Sequence, residues 1–422
     1  MSKANKSFGN LVKNSSMMFL LNVAGAGVSV ITIPVMLAIA GVQVYGHLVL
    51  VQSIALTVFT VCGFQYWQGM LVAMPGHEIG GGALRAAVLK SLRYESLALL
   101  TVLLVAGGLA MSPLPQVAQF SWGDMLLLSL AAVFPVIGTH SAYFRLVNRY
   151  NVLMYAGFLT NLVKLVLLFG VSRYQPDLSS MILAYTIPEV IRCLLLFLLI
   201  FGSRSGIAGT LPYARLHQER LMEAGKWSTL QAICDLPVVQ LDRVIIGFSL
   251  PGENLGVFSI LKRIYSLVNL ATAPFYTTSI PEFAARANAG DLAGAFSLWH
   301  KTMKMLFCVT AVAGVACYAS KFLWMPRLFP VLQGYLPEFT VVLLTAVVAG
   351  TFVTTHAFYW GLGKLRQSTI ISVGTNLLYL LLLWLLTAQF GLFGAVFSFL
   401  IHVIFVALVK IVLLQKIAVR SQ

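Results

Sequence analysis

Acidic residues are scarce in this chain. It has 13 Asp and Glu residues among 422, and charged residues of both signs make up only 10% of the sequence. Hydrophobic residues account for 59%, and the mean hydropathy is +0.89. Soluble globular domains carry about 25% charged residues. The composition therefore excludes a soluble fold and predicts an integral membrane protein.

The chain also lacks the motifs of a disulfide-stapled domain or of a recognisable enzyme. Its five cysteines all fall inside apolar segments without metal-ligand spacing, so we interpret them as small packing residues. No HExxH, DxD-type pair, P-loop or Ser/His/Asp arrangement is evident. The sequence thus predicts a protein that is not an enzyme and has no cofactor. Without a nucleotide site, its energy source would be an ion gradient, carried by H⁺ or Na⁺, the gradient of a lipid substrate, or both.

Long apolar segments recur along the whole chain. A helix needs about 20 such residues to cross the hydrocarbon of a bilayer. The pattern predicts twelve transmembrane helices, at residues 15–40, 45–67, 94–111, 124–142, 151–172, 178–201, 227–250, 255–280, 299–320, 338–360, 368–387 and 392–414.

The basic residues indicate how these helices are oriented. Most of the 28 Lys and Arg residues fall on one side of the membrane, and the other side has only Arg173, Lys321 and Arg327. By the positive-inside rule, the basic side and both termini are cytoplasmic. These bases are spread over short segments instead of forming one soluble patch, so we exclude nucleic-acid binding. The cytoplasmic set is Lys3, Lys6, Lys13, Arg85, Lys90, Arg93, Arg145, Arg149, Arg204, Arg215, Arg220, Lys226, Arg286, Lys301, Lys304, Lys364, Arg366, Lys410, Lys416 and Arg420.

Short polar motifs repeat at a little over half the chain length. Thr139-His140 with Tyr143 recurs as Thr355-His356 with Tyr359, and Thr160-Asn161-Leu162 recurs as Thr375-Asn376-Leu377. The repeat predicts an all-α polytopic fold of two six-helix halves, residues 1–201 and 227–422, with a cytoplasmic linker at 202–226. Because six is even, the halves share one orientation, with a central cavity between them, as in alternating-access transporters.

Eight charged residues fall well inside predicted spans, at least seven positions from either end, where a lipid-facing charge costs about 2.5–3.5 kcal/mol or more. Glu189 and Arg192 are spaced for a local ion pair. Asp242 could form a clasp with Lys262 or Arg263 across the hairpin of spans seven and eight. Five bases face three acids, so positive charge is left over. The bases are Lys164, Arg192, Arg243, Lys262 and Arg263, and the acids are Glu189, Asp235 and Asp242.

The residues at the corresponding positions of the other half are uncharged. Asp242, Arg243, Lys262 and Arg263 correspond to Thr32, Ile33, Gln52 and Ser53, and Lys164 corresponds to Tyr379. This asymmetry is expected if one asymmetric ligand binds between the halves. We interpret the five bases as the lining of a cationic, substrate-binding cavity and the three acids as charge-balancing or coupling groups. Such a cavity suits phosphate or pyrophosphate, because Arg offers bidentate donors to their oxygens.

The stretch Gln240-Leu241-Asp242-Arg243-Val244-Ile245-Ile246-Gly247, running to Leu255-Gly256-Val257-Phe258, resembles the seventh-span pattern of a known family. The family is the polysaccharide transport branch of the multidrug/oligosaccharidyl-lipid/polysaccharide exporter superfamily. The segment from Pro274 to Pro281-Glu282-Phe283 and Gly290-Asp291 is similar to its span-eight exit and cytoplasmic loop. Pro34 and Tyr45-Gly46 are similar to its amino-terminal pattern.

The resemblance implies a flippase of the bacterial inner membrane. Such a protein moves an undecaprenyl-pyrophosphate-linked oligosaccharide repeat unit, for example an O-antigen unit of lipopolysaccharide, from the cytoplasmic to the periplasmic leaflet. Its partners would be that lipid-linked oligosaccharide and membrane lipid, with a polysaccharide polymerase and a chain-length regulator as candidate protein partners.

Two other functions stay open at this point. A multidrug or cation extruder of the same superfamily would have a cavity dominated by acids, whereas bases outnumber acids here. A membrane-embedded polysaccharide polymerase or ligase would carry a large catalytic outer loop, and the longest predicted outer gap spans only about residues 320–337.

Overall fold

The computed structural model describes residues 3–74, 81–174, 176–202 and 218–420 of the chain. Within these ranges, the side chains of 3–26, 29–30, 72–73, 81–83, 218, 271, 273–274, 277–278, 281, 288, 365 and 416–420 are not described. The described residues form helices and short connections without any β-strand. Across these described ranges the chain is an all-α, polytopic membrane protein, and its helices are consistent with the predicted layout of twelve transmembrane segments in two halves. Most of the predicted linker, residues 203–217, lies outside the described residues.

The helices of the first part of the chain confirm predicted spans one to six. The first helix contains the first two predicted spans, which meet at Gly41. The backbone φ of Gly41 is 76°, a left-handed conformation that interrupts the regular helix between the two spans. The helices are α1 (Lys3–Cys62), α2 (Tyr66–Ala73), α3 (Gly81–Ala110), α4 (Trp122–Val133), α5 (Thr139–Leu146), α6 (Tyr150–Tyr174) and α7 (Leu178–Gly202).

The second part follows the same plan, and its last helix contains two spans that meet at Gly391, where φ is 57°. Eight segments of the described chain are long and apolar enough to cross a membrane, and one of them, Arg366–Gln415, spans both sides of Gly391. The helices are α8 (Gln218–Leu236), α9 (Asp242–Ser249), α10 (Gly252–Asn269), α11 (Ala273–Asn288), α12 (Leu292–Ala319), α13 (Lys321–Leu328), α14 (Leu336–Gly361) and α15 (Leu365–Arg420).

Three predicted spans are interrupted near a proline. Span four contains a 3₁₀ turn at Phe134–Val136, span seven a π-helical turn at Pro237–Leu241, and span eight a 3₁₀ turn at Leu270–Thr272, just before Pro274. Proline has no backbone N–H and its ring crowds the preceding turn, so a regular helix does not continue through it without distortion. Pro34 and Pro188, by contrast, lie within helices α1 and α7.

The connection between spans four and five has the same backbone geometry as the connection between spans ten and eleven. The N–H of Arg149 donates to the carbonyl of Phe144 at 2.8 Å, and that of Lys364 donates to Tyr359 at 2.9 Å. Each helix ends on a left-handed residue, Asn148 with φ 54° or Gly363 with φ 69°. This helix-ending motif needs a left-handed residue, which Gly and Asn adopt most readily. The repeated sequence motifs therefore correspond to repeated structure.

Contacts among the described residues divide the chain into two compact units, Met1–Leu236 and Pro237–Gln422. The boundary falls inside predicted span seven, so α8 belongs to the first unit. There α8 crosses α2 closely: a Cβ at Gly69 would lie 2.3 Å from the carbonyl oxygen of Leu221. Glycines permit such close helix crossings in membranes. The backbone N–H of Gln65 also donates to the hydroxyl of Thr229 at 2.9 Å.

Because Asn148 and Gly363 occupy equivalent left-handed positions, the same substitution at either residue should have a similar effect on the free energy of unfolding. Asn148→Gly and Gly363→Asn should each change the free energy of unfolding by only a few tenths of a kcal/mol. Asn148→Val and Gly363→Val should each lower it by about 1–2 kcal/mol, because a β-branched side chain is strained in that conformation. A Cβ at Gly363 meets no atom within 4 Å, so steric overlap does not confuse the comparison. Detergent unfolding titrations would measure all four variants, and equal stability of the Val and Gly forms at position 148 would contradict the assignment.

Candidate functional site

A cluster of two bases around one carboxylate lies in the N-terminal unit. Lys164 on α6 donates to Oε1 of Glu189 on α7, with 2.7 Å between nitrogen and oxygen. Arg192, one turn after Glu189, places Nη2 3.1 Å from Oε2, a close ion pair without hydrogen-bond geometry. The Nζ of Lys164 also lies 4.2 Å from the ring centroid of Tyr185. Only 6% of Lys164 and 4% of Glu189 is exposed.

The local pair of Glu189 with Arg192 confirms the i, i+3 prediction. The pairing of Lys164 with Glu189 was not predicted, because these residues lie 25 positions apart on different helices. Two cations share one anion, so the cluster carries a net positive charge. A cation that already contacts one carboxylate can still donate hydrogen bonds to the oxygens of a ligand, since Lys and Arg have several donors each.

A second cluster lies in the C-terminal unit around Asp242, which is fully buried. Lys262 on α10 forms an ion pair with Oδ2 of Asp242 and donates to the backbone carbonyl of Val238 at 2.6 Å. The hydroxyl of Tyr379 donates to the same carboxylate oxygen at 3.3 Å, and the backbone N–H of Arg243 donates to Oδ1 at 2.7 Å. The carboxylate therefore accepts hydrogen bonds from three different helices of this unit, α9, α10 and α15.

This arrangement confirms one of the two predicted clasps across the hairpin of spans seven and eight, the one with Lys262. The ammonium of Lys262 also lies over the rings of Phe399, at 4.6 Å, and Phe258, at 5.6 Å. Aromatic faces attract cations and help to offset the loss of water around a buried Lys.

The remaining predicted site residues are Asp235, Arg243 and Arg263. Asp235 accepts a hydrogen bond from Gln231 at 3.0 Å and belongs to the N-terminal unit, whereas Asp242 belongs to the C-terminal unit. Arg243 and Arg263 are half-buried, and Nε of Arg243 is buried without a hydrogen-bond partner among the described residues. Arg243 thus has donor capacity next to the Asp242 carboxylate.

One buried acid was missed by the sequence analysis. Glu95 on α3 is 5% exposed and accepts hydrogen bonds from the backbone N–H groups of Gly138, at 2.6 Å, and Thr139, at 3.2 Å. These groups open α5, after the interruption of span four, and would otherwise lack a partner. Its place at the edge of a predicted span, next to Arg93 and Tyr94, gave no signal of this role. Tyr379 was noted in the sequence analysis only as the repeat counterpart of Lys164.

No group of three or more potential metal ligands occurs among the residues that the structure describes. Both clusters combine charged groups with hydrogen-bond donors. Each consists of a carboxylate that orients bases inside a six-helix half. Such groups can bind and orient an anion.

Residues 123–326 match a family model described as a polysaccharide biosynthesis protein. The fold is similar to that of the lipid II flippase MurJ in an inward closed conformation, with a TM-score of 0.70 and 14% identity, covering 96% of this chain and 87% of that one. It is also similar to an inward-facing multidrug resistance transporter of the MATE family in the MOP superfamily, with a TM-score of 0.68 and 14% identity over 96% of this chain and 95% of that one.

A third similar structure is a MOP superfamily transporter from Pyrococcus furiosus, described by the reverse polarity of its binding pocket. Its TM-score is 0.57 at 16% identity, covering 97% of this chain and 93% of that one. No curated protein matches the chain significantly in sequence. The family match and the shared fold confirm the predicted resemblance to the polysaccharide branch of this superfamily.

Removing the carboxylate of Glu189, which Lys164 and Arg192 share, should strongly destabilise the protein. Glu189→Gln should lower the free energy of unfolding by about 3–5 kcal/mol, because it leaves the buried Lys164 without its carboxylate. The double variant Lys164→Met with Glu189→Gln should recover part of this loss. Exposed Glu223→Gln is the control and should stay within about 0.5 kcal/mol of the parent protein. A Glu189→Gln protein as stable as this control would show that Glu189 does not anchor the cluster.

In the C-terminal cluster, removing the carboxylate of Asp242 should cost more stability than removing the hydroxyl of Tyr379. Asp242→Asn should cost about 3–5 kcal/mol, because Lys262 then stays buried without its carboxylate. Tyr379→Phe removes one neutral hydrogen bond and should cost only about 1 kcal/mol. Unfolding titrations of the two variants test this order. A larger loss of stability for Tyr379→Phe than for Asp242→Asn would contradict it.

Proposed function

We propose that this protein is a flippase that moves an undecaprenyl-pyrophosphate-linked oligosaccharide repeat unit, of the O-antigen type, from the cytoplasmic to the periplasmic leaflet of a bacterial inner membrane. The family match to polysaccharide biosynthesis proteins supports the substrate class. The similarity of the fold to a lipid II flippase supports the type of movement. Fold alone does not specify a cargo, so the argument depends on the charged residues.

The proposal depends on one observation, the net positive charge of the clusters around Glu189 and Asp242. In the N-terminal unit, Lys164 and Arg192 share the single carboxylate of Glu189. In the C-terminal unit, Asp242 is neutralised by Lys262 while Arg243 lies beside it. Each cluster therefore holds one more base than acid. The extra base, Arg192 or Arg243, is half-buried, and this surplus positive charge favours a pyrophosphate or an acidic sugar over a cation.

The mechanism we propose is alternating access, in which the two halves rock and present the substrate site to each side in turn. The polyprenyl tail would stay in lipid while the charged head group crosses. The step breaks no covalent bond, so the protein is not an enzyme. Its driving force would be an H⁺ or Na⁺ gradient or the gradient of the lipid-linked substrate, with Asp235 and Asp242 as candidate coupling groups.

A multidrug or cation extruder is the second candidate, because a multidrug resistance transporter shares the fold. Such a protein should concentrate acids in its substrate path, and the buried clusters here have the opposite sign. A polymerase or ligase would need a catalytic outer domain. The outer segment predicted to be longest instead contains α13 and the 3₁₀ turn at Pro330–Tyr335, both packed within the helical C-terminal unit.

Arg243 and Arg263 provide the test. In a strain lacking the native gene, Arg243→Ala or Arg263→Ala should abolish surface polysaccharide at normal membrane abundance. Lipid-linked repeat units should accumulate on the cytoplasmic face. Arg→Lys at each position should restore only part of the export, because Lys keeps the charge but loses the bidentate geometry.

The matched control is Arg173→Ala, an exposed base outside both clusters, which should export as the parent protein does. Wild-type polymer from both the Arg243→Ala and the Arg263→Ala strains would refute the proposed substrate site. Accumulation of a dye or drug cation in the deletion strain, with normal polysaccharide, would favour the extruder.

A further inference from the structure

Helix α13 (Lys321–Leu328) lies between two segments that are long and apolar enough to cross the membrane. Ser320 alone separates it from the segment Leu292–Ala319, and Phe329 alone separates it from the segment Pro330–Gly361. Eight helical residues extend only about 12 Å. Because both of its ends are tied to membrane-crossing segments, α13 stays at the membrane surface, on the predicted outer side.

The burial of side chains on α13 is the reverse of that on a helix that faces water. Phe322 is 77% exposed and Leu323 is 68% exposed, whereas Lys321 is only 8% exposed. The ammonium of Lys321 lies 3.6 Å from the ring centroid of Tyr318 on α12, so its charge is directed toward the protein. Surface helices of soluble proteins expose their charges and bury their large apolar side chains. Neighbouring exposed Phe and Leu side chains therefore indicate a surface that contacts something other than water.

An aromatic cluster fixes the rotation of α13 that exposes Phe322. The ring centroid of Trp324 lies 5.8 Å from that of Phe339 on α14 and 6.2 Å from that of Phe329. Phe339 also stacks on Tyr318, with 6.1 Å between the centroids. Turning Phe322 inward would break these contacts, so its exposure is built into the fold.

The exposed face of α13 continues an exposed apolar surface of α12. Val312 and Val315 are 69% and 68% exposed. Ser320, the residue between the two helices, keeps a right-handed backbone with φ −81° and ψ −2°, and Phe322 follows Val315 by seven residues, about two turns. Exposed apolar side chains of a membrane-crossing helix contact the acyl chains of lipid. The surface of α13 is therefore continuous with a lipid-contacting surface.

Arg327 places a positive charge at the edge of this face. It is exposed and follows Leu323 by four residues, so the two side chains lie on the same side of the helix. Arg327 makes no ion pair within the part of the chain that the structure describes. A guanidinium next to exposed apolar side chains complements a phospholipid, whose phosphate oxygens lie above its acyl chains.

We propose that α13 is an interfacial helix whose exposed face binds the phospholipids of the leaflet on the predicted outer side. Phe322 and Leu323 insert among the upper parts of the acyl chains, and Arg327 contacts lipid phosphates. Seated in this way, α13 holds the adjoining ends of α12 and α14 at a fixed depth in the membrane. The inference does not depend on the substrate that the protein moves.

The test measures membrane depth by electron paramagnetic resonance on the full-length protein. Its five native cysteines are replaced by Ala, and single spin labels are attached after Phe322→Cys, Leu323→Cys or Arg327→Cys. Each protein is reconstituted in nanodiscs of phosphatidylcholine and phosphatidylglycerol. Labels at 322 and 323 should be accessible to oxygen and shielded from a soluble nickel chelate, at about 5–10 Å below the head-group boundary. The label at 327 should lie at the level of the phosphates.

Two further labelled positions calibrate the measurement. Val315→Cys, on the exposed surface of α12, should report a greater depth than either 322 or 323. Asp177→Cys, at an exposed residue of another predicted outer connection, should be fully accessible to the nickel chelate. A melting temperature equal to that of the cysteine-free parent shows that a label has not unfolded its surroundings.

Three results would overturn the proposal. Ready access of the nickel chelate to labels at 322 and 323 would show that water covers this face. Exclusion of both oxygen and the chelate would show that protein covers it, and dipolar broadening between labels would identify that protein as a second copy of the chain. A label at 327 in the aqueous phase, beyond the phosphates, would overturn the contact of Arg327 with lipid.

Discussion

The cost of placing charge inside hydrocarbon is the constraint on which the other features of this protein depend. Each half meets this cost with a carboxylate of its own. Glu189 binds bases from α6 and α7, and Asp242 binds groups from α10 and α15. Because a buried ion is stable only when paired and hydrogen-bonded, these carboxylates fix where the neighbouring helices pack. They also leave the bases oriented and in excess.

A related constraint applies to the backbone, since a helix interruption in a membrane exposes N–H and carbonyl groups that lipid cannot satisfy. Charged side chains take up these groups at two of the three interruptions. Glu95 accepts from the N–H groups that follow the break near Pro135, and Lys262 donates to the carbonyl of Val238 in the π-helical turn. A break and a buried charge therefore stabilise each other. Such broken helices are common where transporters bind their substrates.

Similar folds occur in a lipid II flippase and in a multidrug resistance transporter. The fold alone therefore does not specify a cargo. In this chain, the net charge of the two clusters depends on a few side chains, such as Lys164, Arg192 and Arg243. Changing them would alter the electrostatic preference of the site without changing the helical scaffold.

Sequence alone determined the spans, their number and the duplication. These follow from local composition, because hydrophobic length and the distribution of Lys and Arg act on each segment independently. The i, i+3 pair of Glu189 and Arg192 was predictable for the same reason, and the short hairpin made the clasp of Asp242 with Lys262 one of two stated alternatives.

Tertiary structure decided the rest. It brought Lys164 to Glu189 and Tyr379 to Asp242, and it placed Glu95 at the start of α5. It also assigned α8 to the N-terminal unit through glycine contacts with α2, and turned Lys321 of α13 onto the ring of Tyr318 on α12. These contacts join residues on different helices. Their geometry depends on how helices pack, which hydropathy and spacing along the chain do not encode.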